Sequence, residues 1–261
     1  MTAAPVIFDR RAVRRHRDRA APYVGRVSDL LANLSERLIE RLDDVTRSFR
    51  DALDIGGRGS LDMLLRARGF AVISTDLSPP MAHRNSGPRL AADEEFLPFA
   101  PASFDLVIAC VSLHWVNDLP GALLQIRRTL RPGGLFLGSL PVLGTLEELR
   151  SALTEAEAVL TGGSAPRVSP FPALGDCAGL LQRAGFLLPV ADLETVHLSY
   201  ADGISLLRDL RAAGETNALA LRDRRTRPRE LFAAALARMA GADGRISVTL
   251  QLATMTGWAP G

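Results

Sequence analysis

The chain contains no lysine, so all 31 of its basic residues are arginine. It is also poor in cysteine, tryptophan and tyrosine, with two of each, and has only four histidines. The two cysteines, Cys110 and Cys177, form no CxxC pair and no disulfide framework, which suits a reducing compartment. Four histidines leave little material for an iron site built from two histidines and a carboxylate. The one His-x-Asp match, His16-Arg17-Asp18, stands among arginines that repel a cation, so no metal is expected. No apolar run approaches the roughly 18 residues that a membrane-crossing helix needs. The first residues carry Asp9 and Asp18 and no apolar stretch, which excludes a secretory signal and argues against a transit peptide. A cytoplasmic location is expected, or the mitochondrial matrix in a eukaryote. The arginine-only usage, with abundant Ala, Leu and Gly, matches the composition of proteins from GC-rich bacterial genomes.

A formal charge of +2 does not imply nucleic acid, and no aromatic platform accompanies the arginines at positions 10–19. That run reads as a solvated helix face or a lid packed over a site, ahead of an RNA or acidic-partner surface. Hydrophobic residues at 47% and charged ones at 23% describe a globular chain with a substantial core.

The order of periodicities points to an α/β fold. A basic helix is expected at 8–20 and an amphipathic one at 28–44, where Leu30, Leu31, Leu34, Leu38 and Ile39 recur at helical spacing. Ser28 or Asp29 is the expected cap. Strands are expected at 52–56, 71–76, 104–112 and 135–140, separated by helices from about 60 to 68, from about 79, and at 119–130. Residues 85–92 read as loop, and RPGG at 131–134 as a helix breaker. Strand–helix alternation of this kind argues a parallel sheet. Beyond 140, helices are expected at 145–160, 174–184, 202–213 and 228–240. Two alternating strands, 194–200 and 246–254, are expected to pair as the antiparallel end of the sheet. A single domain is expected: N-terminal helices to 48, a core at 49–142, and a C-terminal part with a helical insertion at about 202–240.

Ligands of open α/β sheets bind beyond the carboxyl ends of the strands. There the chain places Asp54, Gly56, Gly57, Arg58, Gly59 and Ser60, a glycine-rich loop leading into a helix. Asp76 ends the second strand about 20 residues further on, where a carboxylate accepts hydrogen bonds from both ribose hydroxyls. Capping the next helix is its ordinary alternative. Asp93 and Glu94 are either acceptors for an adenine amino group or part of a solvated acidic loop. After the 104–112 strand, His114 is a candidate base and Trp115 a candidate face for a cation or planar substrate. Plain packing against the 119–130 helix competes with both roles.

The segments LDIG, STDLSPPM, DEEFLPF, FDLVIACVSLHWVND and RPGGLFLGSL together resemble the successive motifs of class I S-adenosylmethionine (SAM) methyltransferases. Segments 8–21, 113–123, 145–150, 162–171, 180–186, 206–219 and 256–260 extend the resemblance to the complex I assembly factor 5 family and its bacterial relatives. The malonyl-carrier-protein methyltransferases look like cousins. The resemblance implies a Rossmann-like, mostly parallel seven-stranded sheet with an antiparallel last strand. It implies SAM held by Asp54, Gly56, Gly57, Gly59, Asp76, Leu77, Met81, Asp93, Glu94 and Cys110. It also implies a complex I subunit as partner, with an arginine as the modified group. A buried carboxylate should then await that arginine, and Glu215, Glu147 and Glu148 are the candidates. The chain departs from the family loop, Asp-x-Gly-x-Gly-x-Gly: without a gap, Arg58 and Ser60 stand where the second and third glycines belong. With a one-residue deletion the glycines align in a shorter loop. Either way SAM binding is expected to be weakened or altered, unless Arg58 contacts the SAM carboxylate itself. The open readings are a protein-arginine modifier, an ordinary SAM methyltransferase of a small or carrier-bound acid, and a non-catalytic relative.

Overall fold

A computed structural model describes residues 6–223 and 230–261. Two helices come first, α1 (Arg10–Ala20) and α2 (Ser28–Ile39), joined by a 3-10 helix, Ala21–Val27. Because that 3-10 helix runs straight into α2, the cap position falls on Val27. Ser28 and Asp29 cap nothing: the Ser28 hydroxyl donates back to the Gly25 carbonyl. Strand and helix then alternate through β1 (Asp51–Ile55), α3 (Ser60–Ala67), β2 (Ala71–Asp76), α4 (Pro79–Ala82), β3 (Arg89–Ala91), β4 (Phe104–Cys110), α5 (Leu119–Thr129) and β5 (Leu130–Pro141). The remainder is α6 (Glu147–Thr161), α7 (Leu174–Arg183), β6 (Leu187–Tyr200), α8 (Gly203–Ala213), α9 (Glu230–Met239) and β7 (Ile246–Trp258).

The seven strands lie in the order β3-β2-β1-β4-β5-β7-β6. Five are parallel, and β7 runs antiparallel to both β5 and β6. The apolar residues of the central strands are shared between two faces with period two. Leu53, Ile55 and Val107 pack with Leu123, Ile126 and Leu181 of α5 and α7. Ala52, Leu106 and Ile108 pack on the other face with Leu38, Ile39, Leu61 and Leu65 of α2 and α3. Burial on both faces is why these strands read as continuous apolar runs.

Three expectations need correction. Residues 85–92 hold the short edge strand β3, whose three exposed residues carry no apolar signal. RPGG ends the helix as expected, with α5 stopping at Thr129, but β5 begins already at Leu130 rather than 135, and its register jumps from Phe104↔Leu130 to Leu106↔Leu135, so 131–134 form a bulge. Gly133, at φ +69°, makes that bulge possible. Finally β6 starts at Leu187 rather than 194, and part of the expected 228–240 helix, 228–229, lies outside the described residues.

Candidate cofactor and substrate site

The strand order reverses between β1 and β4, so the switch-point crevice opens at their carboxyl ends. Two loops border it and are tied together: the Ser112 hydroxyl donates to the Ile55 carbonyl at 2.7 Å. A Cβ on Gly56 would sit 2.3 Å from Ser112 Cβ, and one on Gly57 2.3 Å from Asp54 Oδ2. Only glycines let the backbone take this path. Gly59, at φ +98°, donates its N–H to Asn85 Oδ1 at 3.0 Å and starts α3. Across the crevice Val111 holds φ +49°, a costly conformation for a β-branched residue and one that marks functional loops.

The expected cofactor residues occupy this end of the sheet. Asp54 is fully buried beneath the Gly57 turn, and its Oδ2 has no hydrogen-bond partner. Burial, with the Asp62 charge nearby, pushes its carboxyl up to about 8. Asp76 ends β2, accepts from the Ser78 N–H at 2.7 Å, and is pushed up to about 6 by burial against the opposing pull of Arg17. Cys110 is half-buried, accepting from the Ser35 hydroxyl, and burial lifts its thiol to about 11. Met81 is spent in an apolar cluster with Ala20, Ala21 and Val24, and Leu77 packs beside Trp115 and Phe8.

Helix α1 lies over the carboxylates. Arg17, 1% exposed, binds Asp76 at 2.8 Å. Arg10, seven residues earlier on the same face, binds Asp93 at 2.5 Å and also Glu94. Arg10 reaches the Trp115 carbonyl as well, at 3.1 Å. Arg11, Arg14 and Arg15 are exposed on the outer face, and Arg19, also exposed, lines the neighbouring cavity. The arginine run is thus a lid on its inner face and a solvated surface on its outer one. These long-range pairs were invisible to sequence reading, which weighed Asp76 as a ribose acceptor or a helix cap, and Asp93 and Glu94 as adenine acceptors or a solvated loop.

Glu215 is the hub on the substrate side. Its Oε1 accepts from Arg58 Nη2 at 2.8 Å, and its Oε2 from His114 Nε2 and Trp115 Nε1, both at 2.7 Å. Burial works to raise this carboxyl, but the charges of His114 and Arg58 outweigh it and hold it well below the usual range. An ionised Glu215 only accepts, so His114 carries its proton on Nε2. That leaves Nδ1, buried and without a partner. Trp115, 5% exposed, is edge-packed on Phe8 at 5.3 Å between centroids, so it contributes its N–H rather than an open face. Glu148 turns away to the Thr249 hydroxyl at 2.6 Å, and Glu147 pairs with Arg150. Glu215 alone of the three expected carboxylates therefore meets the site. Among the described residues no group of three His, Cys, Asp or Glu could hold a metal.

His114, Trp115, Glu215 and Arg58 form one end of a cavity of about 880 Å³. Its walls are chiefly leucines from α2, α6, α8 and the β6–β7 pair, including Leu34, Leu149, Leu198, Leu206 and Leu250. Arg19, Arg208 and Arg211 are among its lining residues. Pockets for single ligands run to roughly 300–1,000 Å³, so this one is at the generous end.

A strand order of 3-2-1-4-5-7-6, a glycine loop after β1 and an aspartate ending β2 define a class I SAM-dependent methyltransferase. A methyltransferase-domain family model matches residues 53–138. The zebrafish (Danio rerio) arginine-hydroxylase NDUFAF5, mitochondrial, is 36% identical, over 97% of this chain and 83% of its own length. The malonyl-[acyl-carrier protein] O-methyltransferase of Xylella fastidiosa is also 36% identical, over 97% and 89%. The YcgJ protein of Bacillus shares the fold with a TM-score of 0.61 at 14% identity, over 88% of this chain and 99% of its own. The chain belongs to the SAM-dependent methyltransferase superfamily, in the branch that holds both of these relatives, and is an enzyme of it.

The residues fit SAM. Asp54 offers an unfilled buried acceptor to an ammonium, Arg58 Nε is a buried donor with no partner, and Asp76 is an acceptor at the β2 end. Asp76, Asp93 and Glu94, the carboxylates expected to meet the nucleoside end, are engaged by Arg17 and Arg10 in this structure.

Proposed function

We propose that this enzyme binds SAM in the β1–β4 crevice and acts on the guanidinium of an arginine presented by a protein substrate. Glu215 carries the proposal. It is an ionised, half-buried carboxylate at the inner end of a cavity large enough to take an arginine side chain with its flanking backbone. A carboxylate accepts a guanidinium through two parallel hydrogen bonds. His114, oriented through Nε2 by Glu215, presents an unpartnered Nδ1 that takes a proton from the substrate when the ring is neutral. SAM, when bound, supplies an electrophilic methyl group at its sulfonium. The arginine-hydroxylase relatives support arginine as the target, and the resemblance supports a complex I subunit as the protein that carries it.

The second reading is methyl transfer to a carrier-bound acid. The leucine walls and the cationic Arg19, Arg208 and Arg211 suit an acyl chain ending in an anion, and the Xylella relative supports it.

Mass spectrometry of complex I from cells with and without the gene tests the first reading. One subunit arginine is expected to gain a single oxygen or methylene when the gene is present, and to lose that gain in a Glu215→Gln strain. Unmodified arginines in both strains, with a methylated carrier-bound acid present only in the first, would establish the second reading instead.

A further inference from the structure

Arg58 lies in the glycine loop between Gly57 and Gly59, and its surroundings give it two competing partners. Its guanidinium crosses the crevice from the β1 loop, donating to the Val111 carbonyl at 2.6 Å and to Glu215 at 2.8 Å. The side chain is 4% exposed, yet its Nε has no partner. Arg17, on α1 and paired with Asp76 at the end of neighbouring β2, also has a buried Nε with no partner, and its like charge disfavours that of Arg58. Two buried guanidiniums with unfilled Nε donors, Arg58 disfavoured by the like charge of Arg17, form an arrangement that an anion satisfies. A carboxylate does so best, because it accepts two hydrogen bonds from one guanidinium.

The amino-acid end of SAM brings such a carboxylate to the loop that carries Arg58. We infer that Arg58 couples the two halves of the site. With no carboxylate in the crevice it fills Glu215 Oε1; a cofactor carboxylate draws it away and opens Glu215 to the substrate guanidinium. This rests on the cofactor and arginine assignments proposed above. Its consequence is thermodynamic: each ligand must tighten the other, by the same factor. An arginine side chain then finds its full binding site only after the cofactor is in place. A guanidinium without cofactor competes with Arg58 for the same oxygen.

S-adenosylhomocysteine and 5′-methylthioadenosine separate the carboxylate from the rest of the cofactor, since both carry the nucleoside and a thioether but only the first carries the amino-acid end. By calorimetry on the wild-type chain, the probe N-acetyl-L-arginine methylamide is expected to bind at least about fivefold tighter with S-adenosylhomocysteine than with 5′-methylthioadenosine, the low end of usual coupling strengths. Trp115, which donates to Glu215, reports the same event optically. In a Trp258→Phe variant it is the sole tryptophan. Its emission should shift with S-adenosylhomocysteine and not with 5′-methylthioadenosine, and Arg58→Met should abolish both the shift and the coupling. Equal effects of the two nucleosides, no detectable binding of the probe with either, or coupling that survives Arg58→Met would overturn the inference while leaving cofactor binding intact. Failure of S-adenosylhomocysteine to bind the wild type would overturn the cofactor assignment and this inference together. The two-ligand comparison needs no variant, so it decides even if Arg58→Met does not fold.

Discussion

Glu215 takes hydrogen bonds from three side chains that are 157, 101 and 100 residues away along the chain. The residue types at this hub were legible: His114 and Trp115 follow β4, where substrates meet such sheets, and Glu215 was one of three carboxylates set aside for an arginine. What sequence spacing does not contain is the choice among the three, because neither the pattern of α6 nor the segment just after α8 says which carboxylate turns inward. Packing decides it, turning Glu148 to Thr249 and Glu215 inward. Asp54 gives a residue-scale test of burial. Its folded carboxyl titrates at about 8, far above the roughly 3.9 of an unfolded aspartate. The native state therefore holds an extra proton between those values, and the stability it confers is lost as pH rises toward 8. Relative to Asp54→Asn, the wild type should lose melting temperature steadily from pH 5 to pH 8 and no further above it. A constant difference across that range in thermal melts would show that Asp54 is ionised throughout.

At the scale of elements, α1 is the part that decides access. Its periodicity made a helix plain, and its alternative as a lid was open, but which arginines turn inward depends on where β2 and the 93–94 loop lie. Similar limits apply elsewhere. β2 was read from its sequence to the residue, since a buried parallel strand advertises itself. β3 was missed because three exposed edge residues need no apolar pattern, and the bulge at 131–134 because a glycine pair marks a break without saying that pairing resumes at Leu135. The Arg17–Asp76 pair is expected to hold α1 in place. Breaking a buried pair by removing one partner costs about 3–5 kcal/mol, because the other charge stays behind unpaired. Urea denaturation of Arg17→Met at pH 7 should show a loss of that order, shrinking at pH 5, where an Asp76 carboxyl raised to about 6 takes up a proton. A loss under about 1 kcal/mol, the scale of a surface pair, would mean that α1 is held by its apolar face alone.

Over the whole molecule, the sheet brings two sites to one edge: a crevice that fits SAM between β1 and β4, and the leucine-walled cavity that reaches it through Arg58 and Glu215. The fold was readable because strand–helix alternation, the closing antiparallel pair and the family motifs agreed at every step. The cavity was not, since it is assembled from α2, α6, α8 and the β6–β7 pair, none of which marks itself as a wall. Everything proposed about arginine depends on the crevice holding the cofactor despite Arg58 in its loop and Arg10 and Arg17 on its carboxylates. Calorimetric titration of the wild-type chain with SAM, repeated on Asp76→Asn, tests this most directly. Saturable micromolar binding, weakened at least about tenfold by the substitution, the discrimination a lost charge-assisted hydrogen bond supplies, is the expected result. No heat of binding at millimolar SAM, or binding indifferent to Asp76, would contradict it.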